Sequence, residues 1–106
     1  MSMINEKLTE LIEERKHTYI IDFKEPVIMK MIALLTHNID ETIKFLDTDC
    51  SGEQLCWISE IFDEILEQTE SKELLAALRR TILRYPNEDR ELYLTENLDI
   101  AASYVE

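Results

Sequence analysis

The sequence predicts an all-α domain, either a compact bundle or a stack of antiparallel helix pairs, with about five to seven helices over residues 1–106. Three observations carry this expectation. One Gly and two Pro in 106 residues leave almost no material for tight hairpins. Leu, Ile, Glu and Lys are abundant, and these are good helix formers or fit a helical core. Apolar residues also recur at helical spacing behind Ser and Asn residues placed to cap helix starts. The length is that of one domain, and 45% apolar residues are enough to bury one modest core.

The elements follow in order. Ile4, Leu8, Leu11 and Ile12 share a face of a first helix, Met3 to Lys16, with Ser2 as its cap candidate and Arg15 and Lys16 suiting its C-terminal end. Residues 17–24 either extend this helix or form an irregular bridge. Pro26 fits the first position of a second helix, which ends near His37, carries Val27, Ile28, Met31, Ile32, Leu34 and Leu35, and should be the most buried element. Asn38 and Glu41 have capping-box spacing, so a third helix should present Ile39, Ile43 and Leu46 to the core. Residues 47–52 then make a turn. Ser51 and Gln54 form a second box that opens a fourth helix running to about Gln68. Ser71 caps a fifth from Lys72 to Tyr85, with Leu74, Leu75, Leu78 and Ile82 inward and Pro86 ending it. Asn87 and Thr95 are further cap candidates, so the tail is one bent helix or two short ones finishing at Val105.

The charge is unevenly spread. A net charge of −12 repels phosphates and anionic lipid, which argues against a direct nucleic-acid or membrane ligand. Between Asp40 and Glu70 ten acids stand against the single base Lys44, so nine of the twelve net negative charges lie there. Projecting the fourth helix sets Leu55, Ile58, Ile61, Phe62, Ile65 and Leu66 on one side. Glu53, Glu60, Asp63, Glu64 and Glu67 crowd the other, with Trp57 at the edge of this stripe. Like charges at these spacings each destabilise a helix by roughly 0.2 to 0.5 kcal/mol, and no local Lys or Arg offsets them. One reading is a solvated face and a core-edge Trp. The other is a partner surface, with Trp57 as an apolar anchor among carboxylates that attract a basic protein.

Other constellations are weaker. Asp47, Thr48, Asp49, Cys50, Ser51 and Gly52 match the first half of a calcium loop, but Ile58 stands where the bidentate Glu is required, so a helix-to-helix turn is expected. No zinc spacing and no di-iron Glu-x-x-His motif is present, so no metal and no cofactor is expected. His17 and His37 sit in no catalytic motif, and Cys56, beside Glu60 and Asp63 on the stripe, should be a poor nucleophile. The chain does not read as an enzyme. Cys50 and Cys56 suit free thiols in a reducing compartment, and no signal peptide or membrane span is legible, which points to the cytoplasm. Arg79, Arg80 and Arg84 are explained by helix-end compensation and pairing with nearby acids.

The segment FLDTDCSGEQLCWISEIFDEI at residues 45–65, with QTESKE at 68–73 and LRYPN at 83–87, resembles small acidic helical immunity proteins of bacterial polymorphic-toxin and contact-dependent growth inhibition systems. The resemblance implies a cytoplasmic protein that binds one cognate toxin domain and blocks its active site or substrate-binding surface. Such toxins are often nucleases, whose basic surfaces suit an acidic inhibitor. Its residue roles come from the helical projection instead: Glu53, Glu60, Asp63, Glu64 and Glu67 supply the field and Trp57 the anchor. The free protein is expected to be a monomer or weak homodimer. The competing classes are a helical adaptor or oligomeric structural subunit, for which Ile20, Ile21 and Leu83 would be surplus apolar residues, and a nucleic-acid mimic aimed at another DNA-binding protein.

Overall fold

A computed structural model describes residues 3–17 and 25–105. Of the undecided stretch 17–24, His17 is a turn closing α1 and residues 18–24, with Tyr19, Ile20 and Ile21, lie outside the described residues, as does the Ser2 cap candidate. Among the described residues the chain forms eight α-helices and a closing 3₁₀ turn, with no strand. The helices are α1 (Met3–Lys16), α2 (Pro26–Thr36), α3 (Ile39–Thr48), α4 (Gly52–Ser59), α5 (Phe62–Thr69), α6 (Lys72–Leu83), α7 (Pro86–Leu92) and α8 (Leu94–Ala101), followed by Ala102–Tyr104. The radius of gyration, 12.6 Å, is near the ~13 Å of a compact chain this long.

The helix starts obey local chemistry. Pro26 occupies the first turn of α2, where its missing N–H removes nothing. Asn38 Oδ1 accepts from the Glu41 N–H to begin α3. The Ser51 and Gln54 box is reciprocal: each side chain accepts a backbone N–H from the other residue. Ser71 Oγ accepts from the Leu74 N–H to open α6. Three tail readings change. Pro86 opens α7 instead of merely ending α6, which stops at Leu83. Thr95 lies inside α8; Asp89 caps that helix from a distance, its carboxylate accepting from the Thr95 N–H and hydroxyl at 2.8 Å each. Asn87 lies inside α7.

The largest departure from expectation, and the source of the extra helix in the middle of the chain, is a break in the predicted fourth helix after Ser59. The Ser59 hydroxyl donates to the Cys56 carbonyl, and the Glu60 and Ile61 N–H groups fall back to carbonyls three residues earlier. Ile61 leaves helical geometry and α5 restarts at Phe62. The break lets α4 pack on α1, α7 and α8 while α5 packs on α2 and α8. One apolar cluster joins α1 to α6 and α8, with Leu8, Met31, Phe45, Leu55, Phe62, Leu66, Leu78 and Leu98 at its centre, while α7 buries no residue. In α3 the inward residues are Thr42, Phe45 and Leu46, whereas Ile39 and Ile43 are only half-buried; the Thr42 hydroxyl is satisfied by the Leu35 carbonyl.

α3 and α6 run side by side in parallel, not antiparallel. Residues at both their N-terminal ends, Asn38 and Ser71, line one cleft. At the other end Arg80 makes a two-bond pair with Asp47, and Arg84 and Thr81 donate to the Leu46 carbonyl. The intervening α4 and α5 return the chain to make this register possible.

Candidate functional site

The six residues singled out from sequence fall into two groups, separated by the break. Glu53 and Trp57 are on α4 and Glu60 caps its end; Asp63, Glu64 and Glu67 are on α5. They do not form one continuous helical stripe. The i,i+4 repulsion between Glu60 and Glu64 expected of an unbroken helix therefore does not apply, while that between Asp63 and Glu67 does.

The first group closes against α1. Lys16 Nζ lies 2.7 Å from Glu53 Oε1 and 3.1 Å from Glu13 Oε1. Bonding to Lys16 lowers the Glu53 pKa, with a smaller contribution of the same sign from the Trp57 indole, and the Lys16 pKa rises in turn. Arg15, 4% exposed, sits with its guanidinium carbon 5.8 Å from the centre of the Trp57 ring and Nε 3.6 Å from Glu60 Oε1. This first group thus has compensating cations, supplied from thirty or more positions away in sequence rather than from the same helix. Trp57 is half-buried, packed against the core with a cation on its face, so it is not a free anchor.

Arg15 and Lys16 are the residues that sequence reasoning missed in this role. A signal was present. Ile4, Leu8 and Ile12 define the inward face of α1, and Arg15 continues their spacing, so its burial follows from the same periodicity.

The second group stays open. No cation among the described residues pairs with Asp63, Glu64 or Glu67. Asp63 and Glu64 occupy the first turn of α5, where exposed N–H groups favour negative charge, and the Glu64 carboxylate is bonded by its own backbone N–H. Burial nevertheless pushes the Glu64 pKa up, and Asp63 and Glu67 add to the rise. Its Oε2 is buried with no hydrogen-bond partner among the described residues. Dipole compensation accounts for Asp63, but Glu64 is held in an environment that penalises its charge.

The remaining candidates are structural. Asp47 belongs to α3 and is engaged by Arg80, whose pKa rises through that bond, while Ser51 caps α4. The half calcium loop is therefore split between the end of α3, a three-residue turn at 49–51 and the start of α4, which is shorter than the turn expected over 47–52. Among the described residues no cluster of three His, Cys, Asp or Glu side chains is placed to hold a metal. Cys50 is buried, and burial pushes its thiol up to about 12. The Cys56 thiol is also raised, by burial first and then by Glu88, Glu91 and Glu53. The acids near Cys56 thus come largely from α7, not from Glu60 and Asp63. Arg79 pairs with Asp99, and Arg84 stacks on Tyr85, so the basic cluster is divided among intramolecular partners.

The only glycine in the chain, Gly52, opens α4 where α7 docks on the α3–α4 turn. Tyr85 Oη donates to the Cys50 carbonyl at 2.6 Å. A Cβ at Gly52 would lie 3.1 Å from the Tyr85 ring and would collide with the Glu88 carboxylate. The φ of Gly52 is ordinary, so what constrains this position is space beside Tyr85 and Glu88 and not backbone conformation.

Comparison of the chain with family models, with curated proteins and with solved structures returns no match. Among the described residues no helix is long and apolar enough to cross a membrane.

Proposed function

We propose that this chain is a cytoplasmic immunity protein that binds and neutralises a cognate bacterial toxin domain, a basic nuclease being the partner class, by covering its active site or substrate-binding surface. The observation that carries the reading is the open α5 group. Asp63, Glu64 and Glu67 keep their charge outside any ion pair among the described residues, and Glu64 does so against a burial penalty. A nuclease must hold phosphates with Lys and Arg, and a fixed acidic helix face competes for that surface and speeds encounter with it. Glu53, Trp57 and Glu60 serve this face by holding α4 against α1, so the contact centre shifts from the whole 53–67 stretch to α5. Inhibition requires no catalysis by this chain and no cofactor.

The test is growth rescue. The toxin domain encoded beside this gene is expressed in a bacterial host with and without this protein, and the complex is purified. Rescue with a stable one-to-one complex is expected, and lysine at Asp63, Glu64 and Glu67 together should weaken both while circular dichroism still shows a folded helical chain. Absence of rescue by folded protein against a demonstrably active toxin would sink the pairing.

A further inference from the structure

An apolar groove lies away from the acidic group, between the N-terminal half of α1 and the C-terminal half of α2, with a volume of about 530 Å³. Its floor is Ile4, Leu11 and Leu34, and Met3 stands 71% exposed at its mouth. Four charged residues line it: Lys7 and Glu10 from α1, Lys30 from α2 and Glu41 from α3. None of the four makes an ion pair among the described residues.

We infer that this groove seats a second copy of the chain. Two copies that each carry a net charge of −12 repel one another wherever their surfaces are uniformly acidic. At physiological salt that repulsion is screened beyond about 8 Å, so the balance at the contact itself decides. Among the described residues the groove is balanced, with two bases and two acids in no ion pair around an apolar floor. A two-fold interface brings the same patch against itself, so it must be complementary to itself, and a patch of mixed sign can satisfy that condition where one of a single sign cannot. A uniformly basic partner would meet Lys7 and Lys30, and a uniformly acidic one Glu10 and Glu41. Neither matches the groove as a second copy does. Met3 supplies an adaptable apolar side chain for the opposing floor.

The proposal is independent of the immunity reading and is tested on the isolated chain. Sedimentation velocity from about 10 µM to 1 mM should show the mass rising from 12.5 kDa toward twice that value. The pair Lys7→Glu with Lys30→Glu, and separately Glu10→Lys with Glu41→Lys, should each weaken self-association at least ~10-fold by placing like charges opposite one another. An equimolar mixture of the two double variants should restore dimer as a heterodimer. These are surface positions, so folding is checked by circular dichroism and the mixing experiment does not depend on either variant associating alone. A wild-type chain still monomeric at 1 mM, or a mixture that stays monomeric, overturns the proposal. So does a set of groove variants that leaves self-association unchanged but weakens a toxin complex, which would assign the groove to that partner.

Discussion

Glu53 and Glu60 face Lys16 and Arg15 of α1, whereas Asp63, Glu64 and Glu67, only a turn or two further along, face no cation among the described residues. In sequence the five carboxylates look interchangeable. In the fold the first two are partners of a helix–helix contact and the last three are surface charge. The difference teaches that a run of acids has to be divided by what tertiary structure brings to it before any member is assigned a role. It also predicts that the same charge change gives opposite outcomes on the two sides of the Ser59–Ile61 break.

The largest effect is expected at Arg15. Its side chain is nearly inaccessible, its stem extends the apolar face of α1, and its guanidinium covers Trp57 and approaches Glu60. Arg15→Ala should destabilise the protein by about 3 kcal/mol, because it removes buried packing and leaves a half-buried carboxylate without that cation. Arg15→Met keeps the stem and should lose distinctly less. Urea titration of both variants measures this, and an unchanged midpoint for Arg15→Ala would remove the structural role assigned to the α1–α4 contact.

Next comes the binding contrast. Lysine at Asp63, Glu64 and Glu67 should weaken toxin binding by about 100-fold, close to 2.7 kcal/mol, and flatten its salt dependence, while stability falls only by the ~1 kcal/mol of reversed charge at the α5 N-terminus. Glu60→Lys should instead lower stability, since it sets a second cation beside Arg15. Titration calorimetry at two salt concentrations, paired with urea curves, separates the two. If Glu60→Lys alone abolished binding with stability intact, the division between the groups would be wrong.

How much of this was legible before the fold was known depends on the range of the force involved. The caps at Asn38, Ser51 and Ser71 and the start at Pro26 follow from bonds spanning three residues or fewer, and the sequence carries them openly. The inward faces of α5 and α6 follow from periodicity, and Phe62, Ile65, Leu66, Leu74, Leu78 and Ile82 are all buried as expected. The break at Glu60 has no Pro or Gly to announce it and rests on one serine hydroxyl competing for a carbonyl. The cations opposite Glu53 and Glu60 are a tertiary fact, and only the register of Arg15 hinted at them. The α7 carboxylates around Cys56 left no local trace at all.

A smaller effect sharpens the account of α5 as an element that tolerates unfavourable residues. It ends on Glu70 in the left-handed region at φ 47°, where glycine is the usual choice. Glu70→Gly should raise stability by about 0.5–1 kcal/mol by relieving that conformation. Differential scanning calorimetry checks it, and a lower melting temperature would mean that the Glu70 side chain contributes more than its backbone loses.

The smallest effect is the most diagnostic for Glu64. Its folded pKa is raised, by burial first and by Asp63 and Glu67 second, so the folded state favours the protonated carboxyl more than the unfolded chain does. The corresponding stability is fully present below the unfolded pKa and is lost as pH rises through the folded one. At neutral pH wild type has therefore already lost it, and Glu64→Gln, which keeps the shape without the charge, should be more stable there by less than about 1 kcal/mol, since the group is still largely solvated. That advantage should shrink as pH falls through the raised folded pKa, where wild type becomes protonated as well. A carboxylate whose neutral isostere stabilises the fold is retained against stability, so the same variant should lose toxin affinity while gaining in a urea titration at pH 7. If Glu64→Gln were less stable than wild type at pH 7, the charge would serve the fold, and α5 would join α4 on the structural side of the comparison.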